Sequence, residues 1–349
     1  MEPKKIKCLV WDLDNTVWDG TLLEGGTRFL RDGVKETIEE LDRRGILMSI
    51  ASKNEYDDAM AELKKFGIDD YFLVPQIGWG NKSDSVAEIA AQLNLGLDTF
   101  AFIDDQGYEL AEVTFAHPEV RVYDAVRCGE LTSLPEFTPR FITEDSAMRR
   151  KMYKDDISRK TLERDFTGSS NEFLKSLGMK LTLSPVVKGD LERVEELTQR
   201  TNQLNSTGIT YDYNELSALI GSPKHIFLIA QMEDEFGDYG KIGILLCEIT
   251  EKALIIRLLL MSCRVMTRGI GSAMLIYAVK LARNRGLELQ ADFISTERNR
   301  IMYITYKLMG FEEVACHGDC ARLVYKGEDT EYPDYLDIEI RDEVPDFTI

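Results

Sequence analysis

The chain has 349 residues, of which 44% are hydrophobic and 30% charged, so it is globular in composition and long enough for two domains that each bury a core. Its 42 basic and 61 acidic residues leave a net charge of −19, which speaks against the broad basic surface that a nucleic-acid binder needs. No apolar run reaches the ~20 residues of a membrane helix, the N-terminal apolar stretch is short for a secretory signal, and six irregularly spaced cysteines point to reduced thiols in the cytoplasm.

In chain order, short apolar runs first alternate with amphipathic helices. Strands are predicted at 6–11, 47–51, 71–74, 100–103 and 120–123. Between them, Val34, Ile38 and Leu41 share one helical face, as do Tyr56, Met60 and Leu63, and then Val86, Ile89 and Leu93. This alternation predicts an α/β fold over 1–127, a doubly wound parallel sheet covered on both faces. Residues 128–177 hold few β-branched residues and predict a helical connector. Arg149, Arg150, Lys151, Lys154, Arg159, Lys160 and Arg164 make it locally basic, a surface that could dock an acidic partner. The interspersed Asp155, Asp156, Glu163 and Asp165 favour an ordinary salt-bridged helix instead. Over 178–327 the order changes: strand 180–183, helix 191–200, strands 226–232, 240–250 and 254–261, helix 269–284, strand 288–294, helix 298–308 and a short strand pair. Consecutive strands between helices predict α+β. The acidic tail, 328–349, is expected to be mobile.

The sharpest feature is Asp12-Leu13-Asp14-Asn15-Thr16, directly after the first strand. Alternate residues of an extended segment face the same way, so Asp12 and Asp14 converge while Leu13 points elsewhere. Open parallel sheets bind ligands beyond the carboxyl ends of their strands, and the other strand ends supply matching groups. Ser52-Lys53-Asn54 closes the second strand, Lys82 follows the third, and Asp104-Asp105 closes the fourth, with Glu109 after it. Carboxylates from two strands suit a hard cation such as Mg²⁺. A hydroxyl and an ammonium suit a phosphoryl group. In that chemistry Asp12 attacks phosphorus, Asp14 protonates the leaving oxygen and later deprotonates water, and the cation cancels charge between nucleophile and phosphate. Taken singly, each piece is as well explained by a turn, a helix cap or a surface cation; their order at successive strand ends favours a site.

WDLDNTVWDGTL, SIASKN, GWGNKSDSV and FIDDQGYELAEV resemble the four motifs of the haloacid-dehalogenase (HAD) phosphotransferase superfamily, and most closely its FkbH-like branch, subfamily IIIC. The resemblance implies that Asp12 is the nucleophile, Asp14 the acid/base, Ser52 and Lys82 the phosphate binders, with Lys53 and Asn54 beside them. It places Mg²⁺ on Asp12, Asp14, Asp104 and Asp105, with Asp105 the more direct ligand of that pair. It further implies a phosphoglyceryl substrate of the 1,3-bisphosphoglycerate type, whose glyceryl group is passed to an acyl carrier protein in polyketide-type biosynthesis. Many members hold the glyceryl group on a Cys between the two motif-one Asp residues, where this chain has Leu13. Cys8 lies within the first strand and is expected to be buried.

In the second half, Arg268-Gly269-Ile270-Gly271 opens an apolar helix, and two glycines there let backbone N–H groups approach a pyrophosphate. With Asn299 and Tyr306-Lys307-Leu308-Met309-Gly310-Phe311, the region resembles the GNAT superfamily of N-acetyltransferases. That resemblance implies acyl-CoA or a phosphopantetheine arm in the cleft, Arg268, Gly269 and Gly271 as cofactor binders, and Tyr306 as general acid. Met266 and Thr267 depart from the usual cofactor loop. Ser262-Cys263-Arg264-Val265 and the polar segment TQRTNQLN (198–205) are similar to FkbH-like segments. In Cys316-His317-Gly318-Asp319-Cys320 several metal-ligating residues crowd together without the second ligand pair of a zinc site. Four functions are carried forward: a glyceryltransferase, a small-molecule phosphatase, an N-acyltransferase with an auxiliary HAD domain, and a non-catalytic carrier-binding scaffold.

Overall fold

The computed structural model describes residues 4–328 and 330–341. The chain divides into two compact units, 1–157 and 158–349. In the first, β1 (Cys8–Trp11), α1 (Val34–Arg43), β2 (Leu47–Ser52), α2 (Tyr56–Phe66), β3 (Gln76–Ile77), α3 (Lys82–Leu93), β4 (Phe100–Asp104), α4 (Gly107–Ala116) and β5 (Arg121–Asp124) follow one another. The sheet order is β3-β2-β1-β4-β5, with every pair parallel. Trp11, Ile50 and Ile103 pack on one face, and Val10, Ala51 and Phe102 on the other. Both faces are therefore dry, which is why these strands are apolar throughout. β1 lies at the centre, and the chain winds outward from it to β2 and β3 on one side and to β4 and β5 on the other. The switch point thus falls between β1 and β4, and the residues after β1, β2 and β4 are brought side by side.

The expected third strand, 71–74, forms only a bridge from Phe72 to Met48. Val74 takes φ 44°, a left-handed value costly for a β-branched residue, and turns the chain before the two residues of β3 pair with β2.

The expected helical connector, 128–177, divides its residues between the two units. Cys128, Leu131 and Phe137 belong to the first unit's core, whereas Phe173 and Leu177 belong to the second's. After α5 (Glu144–Ala147), the division falls inside α6 (Arg149–Asp165). The basic cluster is largely consumed by pairing. Arg149 donates to Gly45 O, Arg150 pairs with Asp42 and Asp70, Lys154 with Asp70, and Arg159 with Asp234.

The second unit adds α7 (Ser170–Ser176), β6 (Met179–Pro185), α8 (Leu191–Arg200), α9 (Tyr213–Leu219), β7 (His225–Asp234), β8 (Gly237–Ile249), β9 (Ala253–Met261), α10 (Ile270–Asn284), β10 (Glu288–Ile294), α11 (Arg300–Leu308), β11 (Phe311–His317), β12 (Cys320–Tyr325) and β13 (Leu336–Ile340). Its eight-stranded sheet runs β11-β12-β10-β9-β8-β7-β6-β13. Among the described residues, only β9–β10 and β6–β13 pair in parallel in this sheet. One core, containing Leu254, Ile256, Met274 and Phe293, includes α10 residues; the other joins Leu258 and Leu260 to Leu191 and Val194 of α8. β13 corrects the expectation of a mobile tail. Leu336, Ile338 and Ile340 alternate with acidic residues, and the strand completes the sheet edge beside β6. Residues 342–349 of that tail lie outside the described residues. No helix among the described residues is long and apolar enough to cross a membrane.

Candidate active site

Asp12 follows β1 directly, and its amide donates to Ile103 O of β4 at 3.0 Å, which fixes it against the neighbouring strand end. The residue is 2% exposed. Oδ1 accepts from Ser52 Oγ at 3.0 Å and from Lys82 Nζ at 2.7 Å, and Oδ2 accepts from Thr16 Oγ1 at 3.3 Å. Lys82 opens α3 and also reaches Asp104 Oδ2 at 2.6 Å, while Asp104 Oδ1 accepts from the Gln106 amide. Asp12, Asp104 and Asp105 can bring one ligand oxygen each within 4.8 Å of the others, and Asp105 Oδ1 is buried with no hydrogen-bond partner. A buried carboxylate oxygen left over beside two more is the donor set a hard cation takes, so the residues fit Mg²⁺.

The electrostatics are those of crowded acids around one base. Burial pushes Asp12 above the usual carboxylate range, against the lowering effect of Lys82. Burial and then the Asp12 charge raise Asp104 in the same way, and burial raises Asp105. For Lys82, burial favours the neutral amine, but the two carboxylates outweigh it and hold its pKa above the ordinary value.

Asp14 stands apart from the cluster. Asn15, at φ 54°, turns the chain, and Asp14 Oδ1 accepts from Trp18 Nε1 at 2.9 Å and from the Leu22 amide at 3.0 Å. Its Oδ2 accepts from Asn54 Nδ2 at 3.3 Å. The Asp14 side chain, expected among the metal ligands, is thus directed to these donors and is not in the three-carboxylate group. Asn54 also donates to Ser52 Oγ, so it ties the second strand end to both aspartates. Lys53, expected beside the phosphate binders, pairs at 2.6 Å with Glu109, which is 1% exposed. Thr16 and Trp18 were not singled out in the sequence. Each lies four residues after the aspartate it serves, but their reach depends on the turn at Asn15.

In the second unit the proposed cofactor residues are packed inward. Arg268 is 2% exposed, donates to Glu163 at 3.2 Å and lies over the Phe173 ring. Gly269 has φ 76°, and a Cβ there would strike the Tyr335 hydroxyl, while one on Gly271 would strike Met261. Tyr306 is fully buried, and burial pushes its phenol up. Cys316 and Cys320 are exposed, and neither belongs to a metal-ligand group among the described residues.

Residues 27–109 match the family model of the haloacid dehalogenase-like hydrolases. The first unit carries a haloacid dehalogenase-like hydrolase domain. The match begins after Asp12 and Asp14. No curated protein matches the chain. Among solved structures, the chain is similar to the N-terminal part of a Bacteroides fragilis protein containing a phosphatase domain complexed with Mg. That match has 26% identity over 43% of this chain and 39% of that one, with a TM-score of 0.32. Other matches are Arabidopsis thaliana NAA60 with a bisubstrate analogue, 18% identical over 42% of this chain and 98% of that one, TM-score 0.34. A further one is the PaiA N-acetyltransferase of Thermoplasma acidophilum with coenzyme A, 17% identical over 42% and 99%, TM-score 0.34.

Proposed function

We propose that the chain is a Mg²⁺-dependent phosphoryl-transfer enzyme acting through Asp12 on a phosphorylated small molecule. The observation that carries this reading is the strand-end constellation, in which Ser52 and Lys82 meet one oxygen of Asp12 beside Asp104 and Asp105. A carboxylate oxygen of Asp12 attacks phosphorus, and the bond from phosphorus to the leaving oxygen breaks. Asp14 gives its proton to that oxygen, then takes one from the water that hydrolyses the aspartyl-phosphate. Trp18, Leu22 and Asn54 hold Asp14 in place, while Ser52 and Lys82 hold phosphoryl oxygens. Asp12, Asp104 and Asp105 would hold the ion, which when bound offsets charge repulsion between nucleophile and phosphate.

The motif resemblance supports a finer reading, in which a substrate of the 1,3-bisphosphoglycerate type loses its phosphate ester through Asp12. The pantetheine thiol of the acyl carrier protein attacks the acyl carbon, so that the acyl phosphate leaves as inorganic phosphate and the glyceryl group is held as a thioester. One observation favours a second reading, a phosphatase without acyl transfer. Leu13, at the position where a thiol would hold the glyceryl group, is fully buried. Cys8 is also fully buried, and burial pushes its thiol up, away from the reactive thiolate.

An intact-mass time course with Mg²⁺, 1,3-bisphosphoglycerate and a pantetheinylated carrier protein separates the two. A carrier that gains a glyceryl group, and fails to with Asp12→Asn, supports the transferase. Phosphate release that depends on Asp12 with an unchanged carrier supports the phosphatase. Phosphate release unaffected by Asp12→Asn would sink both.

A further inference from the structure

We infer that the second unit is closed to acyl-CoA and to a pantetheine arm, because residues 204–206 act as a built-in strand in the opening such an arm would need. β9 and β10 pair in parallel only from Ala253 with Glu288 to Ile256 with Ala291, and beyond this they part. Two diverging parallel strands expose inner edges of unpaired N–H and C=O groups, to which an amide-bearing arm could pair as an extra strand. Here the chain itself pairs with them. Asn205 forms an antiparallel bridge with Leu260. The Met261 amide donates to Leu204 O at 2.9 Å, and the Ser206 amide donates to Leu259 O at 2.9 Å. On the far side the Ile294 amide of β10 donates to Ser206 O at 3.1 Å, and back on the β9 side the Leu259 amide donates to Ser206 Oγ at 3.0 Å.

The insert is held as firmly as a core strand. Asn205 and Ser206 are both 0% exposed. Asn205 Oδ1 accepts from the amides of Thr207 and Gly208, and its Nδ2 donates to Ile209 O. Asn299, also 0% exposed, donates from Nδ2 to Asn205 O at 3.0 Å and to Ile294 O at 2.8 Å, tying insert and β10 together. Withdrawing the insert would leave this whole set of buried groups unpaired. Asn299, which in the sequence suggests an acyltransferase site, and the end of the TQRTNQLN segment, there similar to an FkbH-like segment, therefore serve to close it.

The glycine turn is covered by a different part of the chain. Tyr335 lies against Gly269, and the approach to it is tethered by Lys175 to Asp334 at 2.6 Å and by Lys280, 3.5 Å from Glu331 and 4.1 Å from the Tyr332 ring centre. The inference does not rest on the reading of the first unit. Its consequence is that no pantetheine-borne acyl group enters between β9 and β10, so any transfer this chain performs takes place elsewhere.

The test is calorimetric titration of the full chain with CoA, acetyl-CoA and phosphopantetheine, alongside hydrogen exchange of the amides of Ser206, Met261 and Ile294. The expected result is no saturable heat up to millimolar ligand, for the wild type and for Tyr335→Ala alike, with those three amides slow to exchange and unchanged by ligand. Micromolar binding by the wild type, or faster exchange at Ser206 and Met261 on adding ligand, would overturn it. Binding gained only by Tyr335→Ala would overturn it too, because the cover over Gly269 and not the 204–206 strand would then be the barrier.

Discussion

Replacing Lys82 by methionine removes the ammonium that lies 2.7 Å from Asp12 and 2.6 Å from Asp104, while keeping a side chain of similar length. Lys82 and its partners are nearly excluded from water, with side chains 3–4% and 0–4% exposed. At an effective dielectric of about 20, each contact carries a gross attraction of ~6 kcal/mol. Much of this is offset by the cost of taking the lysine out of water, so the net loss expected on breaking a buried pair is ~3–5 kcal/mol. The sign of its pH dependence follows from the raised carboxylates. Without Lys82 they rise further, and the penalty for holding them charged is greatest at neutral pH. It shrinks as pH falls and vanishes below the unfolded carboxylate value of about 4, where folded and unfolded chains are both protonated. Urea unfolding followed by tryptophan fluorescence measures this cleanly, because Trp11, Trp18 and Trp79 all lie in the first unit. A loss below about 1 kcal/mol at neutral pH, or a loss independent of pH, would refute the reasoning, since packing alone gives no such titration.

Magnesium at a hundredfold excess over its Kd should stabilise the first unit by ~2.7 kcal/mol; Asp105→Asn should lose most of that gain, and an unchanged gain would exclude Asp105 as a ligand. Arg43 and then Arg44 pull Glu40 down to about 2. Glu40→Gln should therefore cost ~0.5–1 kcal/mol at neutral pH, a contribution present above the unfolded value and lost as pH falls towards the folded one, with no difference from wild type near pH 2. Arg159 is 1% exposed, meets both oxygens of Asp234 at 2.7 Å and stacks 3.8 Å from the Tyr239 ring centre. Arg159→Met should cost the second unit ~3–5 kcal/mol, read by scanning calorimetry because that unit contains no tryptophan; a shift within error would show the pair to be dispensable.

Much of the first site was legible because its chemistry sits at strand ends, where apolar runs stop and carboxylates begin. Asp12, Ser52 and Asp104 could be placed from that punctuation, and Lys82 from its place after the third strand at the head of a helix. The supporting donors could not, because Trp18 and Thr16 reach the aspartates through a turn whose left-handed Asn15 leaves no periodic trace. Val74 likewise ends an apolar run that would otherwise continue as a strand. The tail shows the opposite failure. Leu336, Ile338 and Ile340 carry a period-two signal, but the surrounding acidic residues hid it, and its partner β6 lies far away in sequence. The bridging segment 204–206 was invisible for a physical reason, since its hydrogen bonds run to β9 and β10 and no local propensity announces them.

The central claim is that phosphoryl transfer passes through Asp12. The most direct measurement is to mix the protein with Mg²⁺ and a reactive phosphate donor, quench in acid, reduce with borohydride and map the altered residue by peptide mass spectrometry. An aspartyl-phosphate trapped at Asp12, absent in Asp12→Asn, is the predicted result. Turnover of the donor with Asp12 unmodified throughout, or a phosphoryl group on any other residue, would contradict the account.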